Sequence, residues 1–131
     1  MTKRLLSLLL ASGLLLPGLP HSATAQTAPV KQWDKTFGGI LWDNSPYVQQ
    51  TADGSYILGG SSGSSVSGDK TQPARGFSNY WVIKLDATGS KQWDKTYGGN
   101  NNDKLKSLLL TRDGGYLLAG DSDSGIRGDK T

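Results

Sequence analysis

A chain of 131 residues holds one domain at most. It contains no cysteine and no glutamate, its single histidine is His21, and glycine reaches 18 residues. Past His21 this excludes a Ser-His-Asp triad, a thiol nucleophile, a histidine-liganded zinc site and any disulfide; the glycine content favours strands and turns over helices.

Met1 to Ala25 carries the three parts of a secretory signal. Lys3 and Arg4 precede the apolar run LLSLLLASGLLL (Leu5 to Leu16), and PGLPHSATA ends on small residues, which predicts cleavage before Gln26. The run is shorter than the roughly 20 apolar residues of a membrane-crossing helix, so export is expected, with no membrane span in the mature chain. Removing Lys3 and Arg4 leaves 12 basic residues against 11 aspartates and a net charge of +1. That balance leaves no basic patch and argues against a nucleic-acid partner.

KQWDKTFGG (Lys31 to Gly39) is the first segment with strand character, and Lys31–Phe37 is predicted as a strand. SPYVQQT (Ser45 to Thr51) is a second strand. Asp53-Gly54 follows, and an Asp-Gly pair between apolar runs marks a hairpin because glycine accepts positive φ. SYILGGS (Ser55 to Ser61) returns. The stretch from Ser62 to Ser78, rich in glycine, serine and proline, is predicted as an exposed and mobile loop. NYWVIKLD (Asn79 to Asp86) places Trp81, Ile83 and Leu85 on one face and Tyr80 and Val82 on the other, so this strand is covered on both sides. KQWDKTY (Lys91 to Tyr97) alternates Trp93 and Lys95 with Asp94 and Thr96 and is expected to be half exposed. LKSLLLT (Leu105 to Thr111), Asp113-Gly114 and GYLLAGD (Gly115 to Asp121) form a last hairpin.

Residues 31–71 align with 91–131 without a gap, with 21 identities in 41 positions. Self-similarity at a period of 60 is the mark of a repeat architecture. Copies 31–90 and 91–131 follow the leader, the second incomplete. The expected fold is all-β: antiparallel four-stranded propeller-blade repeats forming an incomplete propeller of about one and a half blades across residues 26–131. A four-bladed ring would need about 240 residues at this period. The chain therefore reads as a fragment of a longer gene or as a subunit of an oligomeric ring, with open strand edges that favour self-association.

The stretches YWVIKLDATGSKQWDKTYGG and LLLTRDGGYLLAGDS, with the closing GDKT, resemble bacterial delta-60-type β-propeller repeats over Lys31 to Thr131. Such repeats occur in long secreted proteins of Bacteroidetes, often with a sorting domain for type IX secretion; no such domain is present here. LDATGSKQW is also loosely similar to the tryptophan-docking motif of quinoprotein propellers, one residue shorter. That similarity carries over a packing role for Trp93 and Trp33, and no quinone.

No residue is assigned a catalytic, cofactor-binding or metal-binding role. Asp121 to Asp129 contains a D-x-D-x-G pattern, but calcium needs more oxygen ligands than this loop supplies, and the first copy lacks the two leading acids. Asp34, Asp69, Asp94 and Asp129 read as turn-forming residues. Tyr56, Tyr116, Trp33 and Trp93 recur in both copies and read as packing positions. Trp42, replaced by Asn102 in the second copy, is the aromatic best suited to an external contact or to capping. The expected function is that of an exported, non-catalytic interaction scaffold at the cell surface or outside the cell, with a protein or glycan ligand and no cofactor. The alternatives are a fragment of a propeller glycosidase or sialidase, whose S-x-D-x-G-x-x-W box TADGSYI does not match, and an inactive remnant of a longer secreted repeat protein.

Overall fold

A computed structural model of the chain describes residues 28–129. The predicted leader, residues 1–25, its cleavage point before Gln26, and the terminal Lys130 and Thr131 lie outside the described residues. Lys31–Thr131 forms a compact unit, which carries the strands found among the described residues.

Six strands and no helix occur among the described residues: β1 (Asp43–Gln50), β2 (Tyr56–Ser62), β3 (Asn79–Leu85), β4 (Lys91–Tyr97), β5 (Asp103–Leu110) and β6 (Tyr116–Ser122). The first four form an antiparallel sheet in chain order, and β5 and β6 form a separate antiparallel hairpin. Both Asp-Gly pairs turn the chain as predicted. Gly54 and Gly114 take φ of 81° and 84°, and the aspartates accept their neighbours' hydrogen bonds: Asp53 from Thr51 Oγ1 and Ser55 N, Asp113 from Thr111 Oγ1 and Gly115 N. A register shift between Asn44 and Tyr47 recurs between Leu105 and Ser107.

The core lies on both faces of the sheet because β3 is apolar on both. Val82 joins Ile57 and Leu108 in one cluster, with Tyr47, Trp93, Leu110, Tyr116 and Leu118 packed around it. Trp81, Ile83 and Leu85 form a second cluster on the other face, packed by Trp33, Phe37, Tyr56 and Leu58. Full burial of each such side chain contributes roughly 1.5–3 kcal/mol over leaving it exposed, so the hairpin is held to the sheet largely by the first cluster.

Two features differ from the sequence-based expectation. Lys31–Phe37 is not a strand, although the identical KQWDKT at Lys91–Thr96 is in β4. β4 has β3 to pair with, whereas no strand lies beside the leading segment among the described residues, so the backbone has no ladder to join. Its tryptophan still docks: Trp33 meets Tyr56 edge-on at 5.3 Å, as Trp93 tilts onto Tyr116 at 6.2 Å. β4 is half exposed as expected, and its buried side is the polar one, Asp94 and Thr96. The 62–78 segment is not uniformly exposed: Ser62, Ser64, Lys70 and Ser78 are buried.

Candidate functional site

The buried polar groups explain these departures. Asp43 accepts hydrogen bonds from Gly39 N at 2.7 Å, Ser62 Oγ at 2.5 Å and Ser64 Oγ at 3.3 Å. Asp103 accepts the same set one repeat further on, from Gly99 N, Ser122 Oγ and Ser124 Oγ, and adds Asn79 Nδ2 at 3.2 Å. Burial pushes the Asp103 carboxyl up, but these donors outweigh it and hold the group below the usual carboxylate range. Asp69 and Asp129 each accept from a glycine amide, Gly38 N and Gly98 N, at 3.1 Å. These carboxylates fasten loops to strand ends and leave little capacity for chemistry.

Asp94, like Asp103, takes four donors. It accepts from Thr71 Oγ1 at 2.7 Å, Thr71 N at 3.0 Å, Trp81 Nε1 at 3.0 Å and Lys91 Nζ at 2.9 Å. Its side chain is 1% exposed; burial raises its pKa, the four donors more than reverse that, and the result is about 2. Next to it Lys70, 1% exposed, donates to Thr96 Oγ1 at 2.5 Å and Gln72 O at 2.8 Å, and desolvation lowers its pKa. The DKT stretches at Asp69–Thr71 and Asp94–Thr96 thus lock together, Thr71 onto Asp94 and Lys70 onto Thr96. That interlock draws Lys70 and Thr71 of the glycine-rich segment against the sheet.

Asp34, by contrast, stands exposed in a surface ion pair with Lys31 at 3.4 Å. The Asp121 to Asp129 loop does not converge on a centre: Asp121 faces Lys106 at 3.4 Å, and Asp129 faces Arg75 at 2.5 Å.

The surface feature with a different character is a crevice of about 300 Å³ where the start of β1 meets the start of β5. Trp42, Asn44, Tyr47, Ser61, Lys104, Leu105 and Lys106 line it. Trp42 is 52% exposed and lies with its indole Nε1 close over Gly63, where a Cβ would come within 2.8 Å. Gly63 therefore lets one part of the indole sit on backbone while the rest faces solvent. A glycine is required at this approach because any side chain would lift the ring. The crevice offers an aromatic surface, a phenol, an amide and two ammonium groups. Lys106 is partly balanced by Asp121, but both are exposed and such pairs contribute little.

All of the lining residues occupy positions where the two aligned segments differ: Trp42 against Asn102, Asn44 against Lys104, Ser45 against Leu105, Pro46 against Lys106, Tyr47 against Ser107 and Ser61 against Asp121. The shared residues include Asp43 and Asp103, Asp69 and Asp129, and Trp33 and Trp93, which fasten loops and pack on the tyrosines, whereas the core residues Ile57 and Leu108 fall at unshared positions. Sequence reasoning singled out Trp42; it missed Asn44, Lys104 and Lys106, which reach the site only through the packing of the hairpin on the sheet. A second crevice of about 510 Å³ lies between the two Asp-Gly turns, lined by Thr51, Asp53, Lys84, Leu110, Arg112 and Tyr116 among others. Lys84 is already engaged there, donating to Thr51 Oγ1 at 3.0 Å.

Comparison of the chain with protein-family models, with curated proteins and with solved structures finds no match.

Proposed function

We propose that this chain is an exported, non-catalytic interaction module of propeller-blade architecture that binds a glycan in the Trp42 crevice. The observation that carries the reading is the half-exposed indole of Trp42 set in a polar, basic crevice. Trp42, Asn44, Tyr47 and Ser61 all lie where the two segments differ, and they gather at this one crevice, Tyr47 also packing on the core and Ser61 also accepting from Leu105 N. A half-exposed indole offers a flat apolar surface to the C–H face of a pyranose. Asn44, Tyr47 and Ser61 offer donors and acceptors for its hydroxyls, and Lys104 and Lys106 favour a sugar bearing a carboxylate. The leader sequence, with its small residues before Gln26, supports an extracellular setting in which such polysaccharides are met. The four-stranded meander and the sequence period support the blade reading. The buried aspartates support the non-catalytic reading, since each is saturated by donors within its own fold.

Isothermal titration with neutral and uronate-bearing oligosaccharides tests this. Binding of the acidic series, lost in Trp42→Ala and weakened in Lys104→Ala, is the expected result, with no release of reducing ends. Binding indifferent to Trp42→Ala, or hydrolysis of the bound sugar, would overturn it.

A further inference from the structure

The hairpin β5–β6 meets the sheet through one face and shows the other to solvent. On the covered side Leu108 packs against Ile57 and Val82. The fit is close: a Cβ at Gly59 would come within 2.6 Å of Leu108 Cδ1 and 2.8 Å of Leu105 Cδ2. The open face of the hairpin repeats the sheet's covered face position by position. Leu117 stands where Ile57 stands, Ala119 where Gly59 stands and Asp121 where Ser61 stands. Ile57 is 0% exposed, but Leu117 is 54% exposed and its cross-strand partner Leu109 is 50% exposed. Conversely, the far face of β1 carries Val48, 63% exposed, at the position of Leu108, 3% exposed. Ser45 occupies the position of Leu105.

We propose that the open face of β5–β6 in one copy of this chain docks on the Val48 face of β1–β2 in a second copy, head to tail. The steric argument is specific to this pairing. Inside the chain, Gly59 faces Leu108 and Leu105, and no room remains for a methyl. Between chains, Ala119 adds that methyl, while Val48 and Ser45 are each smaller than the leucine they replace. The changes on the two surfaces compensate, as close packing requires. A polar contact is preserved in kind: Leu105 N donates to Ser61 Oγ at 2.9 Å, and Asp121 brings a carboxylate to the equivalent place opposite Ser45 N. Several contacts are lost. Val82 and Trp93 come from β3 and β4, which the hairpin lacks, and Ser107 stands in the place of Tyr47. Gln49 donates to Leu108 O at 2.9 Å and accepts from Leu110 N at 3.1 Å, and Leu109 in its place does neither. The contact between chains is therefore weaker than the one within. Because one face meets a different face, the contact is heterologous, and copies add in a row or close into a ring.

Sedimentation velocity on the exported protein tests this, with Val48→Lys, Leu117→Lys and Leu109→Gln variants. Wild type is expected to shift from monomer to dimer and beyond as concentration rises. Each lysine variant alone stays monomeric with an unchanged circular dichroism spectrum. An equimolar mixture of the two forms a dimer and stops there, because one intact head meets one intact tail. Leu109→Gln restores the bridging amide and tightens association about tenfold. A wild type that stays monomeric, a lysine variant that still associates, a lysine-variant mixture without dimer, or a Leu109→Gln variant that associates no tighter than wild type would each overturn the proposal.

Discussion

Replacing Asp94 by asparagine keeps the shape of the side chain and removes its charge. The carboxylate takes four donors, from Thr71 twice, Trp81 and Lys91. Asparagine offers one acceptor oxygen and turns an NH₂ toward the remaining donors. Breaking a buried ion pair by removing one partner costs about 3–5 kcal/mol. The displaced pKa gives a second measure: a carboxyl at about 2 instead of 3.8 corresponds to roughly 2.5 kcal/mol of stability. A loss of about 3 kcal/mol at neutral pH agrees with both. The sign of the pH dependence follows from the direction of the shift. A depressed carboxyl pKa stabilises the fold above 3.8, and that stabilisation is lost as the pH falls from 3.8 through about 2. The deficit of Asp94→Asn should therefore shrink by roughly 2 kcal/mol between neutral pH and about pH 2. Urea unfolding of both proteins, followed by circular dichroism, measures the difference directly and cancels the titration of the other aspartates. A deficit that does not change with pH, or one below about 0.5 kcal/mol at neutral pH, would refute the argument.

Gly60→Ala is expected to destabilise by about 3 kcal/mol or more in thermal unfolding, because its Cβ would sit 1.7 Å from the carbonyl oxygen of Asn44, at the register shift in β1. Trp93→Ala should cost about 3 kcal/mol by the same assay and loosen the hairpin from the sheet, since Trp93 packs on both the Ile57 cluster and Tyr116. The carboxyl of Asp53 should titrate at about 2 by carbon-detected NMR, held down chiefly by the Thr51 hydroxyl, and Thr51→Val should move it back toward 3.8. Lys70, whose pKa burial lowers, should lose its proton below 10.5, and its ammonium should destabilise the fold less as the pH rises through that range.

Local chemistry was readable from the sequence wherever neighbours along the chain decide the outcome. The Asp53-Gly54 and Asp113-Gly114 turns, the two-sided burial of β3 and the span of β4 all depend on residues within a few positions. What escaped depends on partners far along the chain. Lys31–Phe37 has the residues of β4 and lacks its neighbour, so an identical hexapeptide is strand in one place and irregular in the other. The half exposure of β4 was legible, but the alternation alone does not say that Asp94 and Thr96 are the covered side. They are buried because Thr71 and Lys70, on the far side of β3 in the chain, supply donors. The crevice was partly foreseen in Trp42, but its lysines come from β5, in the other copy of the repeat, and no periodicity along one segment encodes that meeting.

The matched pairs Trp33 with Tyr56 and Trp93 with Tyr116 bear on how such a chain changes in length at the level of DNA. Lys31–Thr36 and Lys91–Thr96 are identical. A crossover between their coding sequences would delete one whole period in frame, removing β1, β2 and β3 and joining the leading segment to Tyr97. The product would set Trp33 at the place of Trp93, opposite Tyr116, a partnership the protein already contains. The reverse exchange would insert another four-stranded sheet and set its tryptophan against the next tyrosine. The insertion asks no new kind of contact of the packing, whereas the deletion removes Ile57, Trp81, Val82, Ile83 and Leu85 and leaves the hairpin without the sheet it packs on. Gain of a sheet by unequal recombination is thus compatible with the packing, and the tryptophan–tyrosine contact is the joint that makes it so.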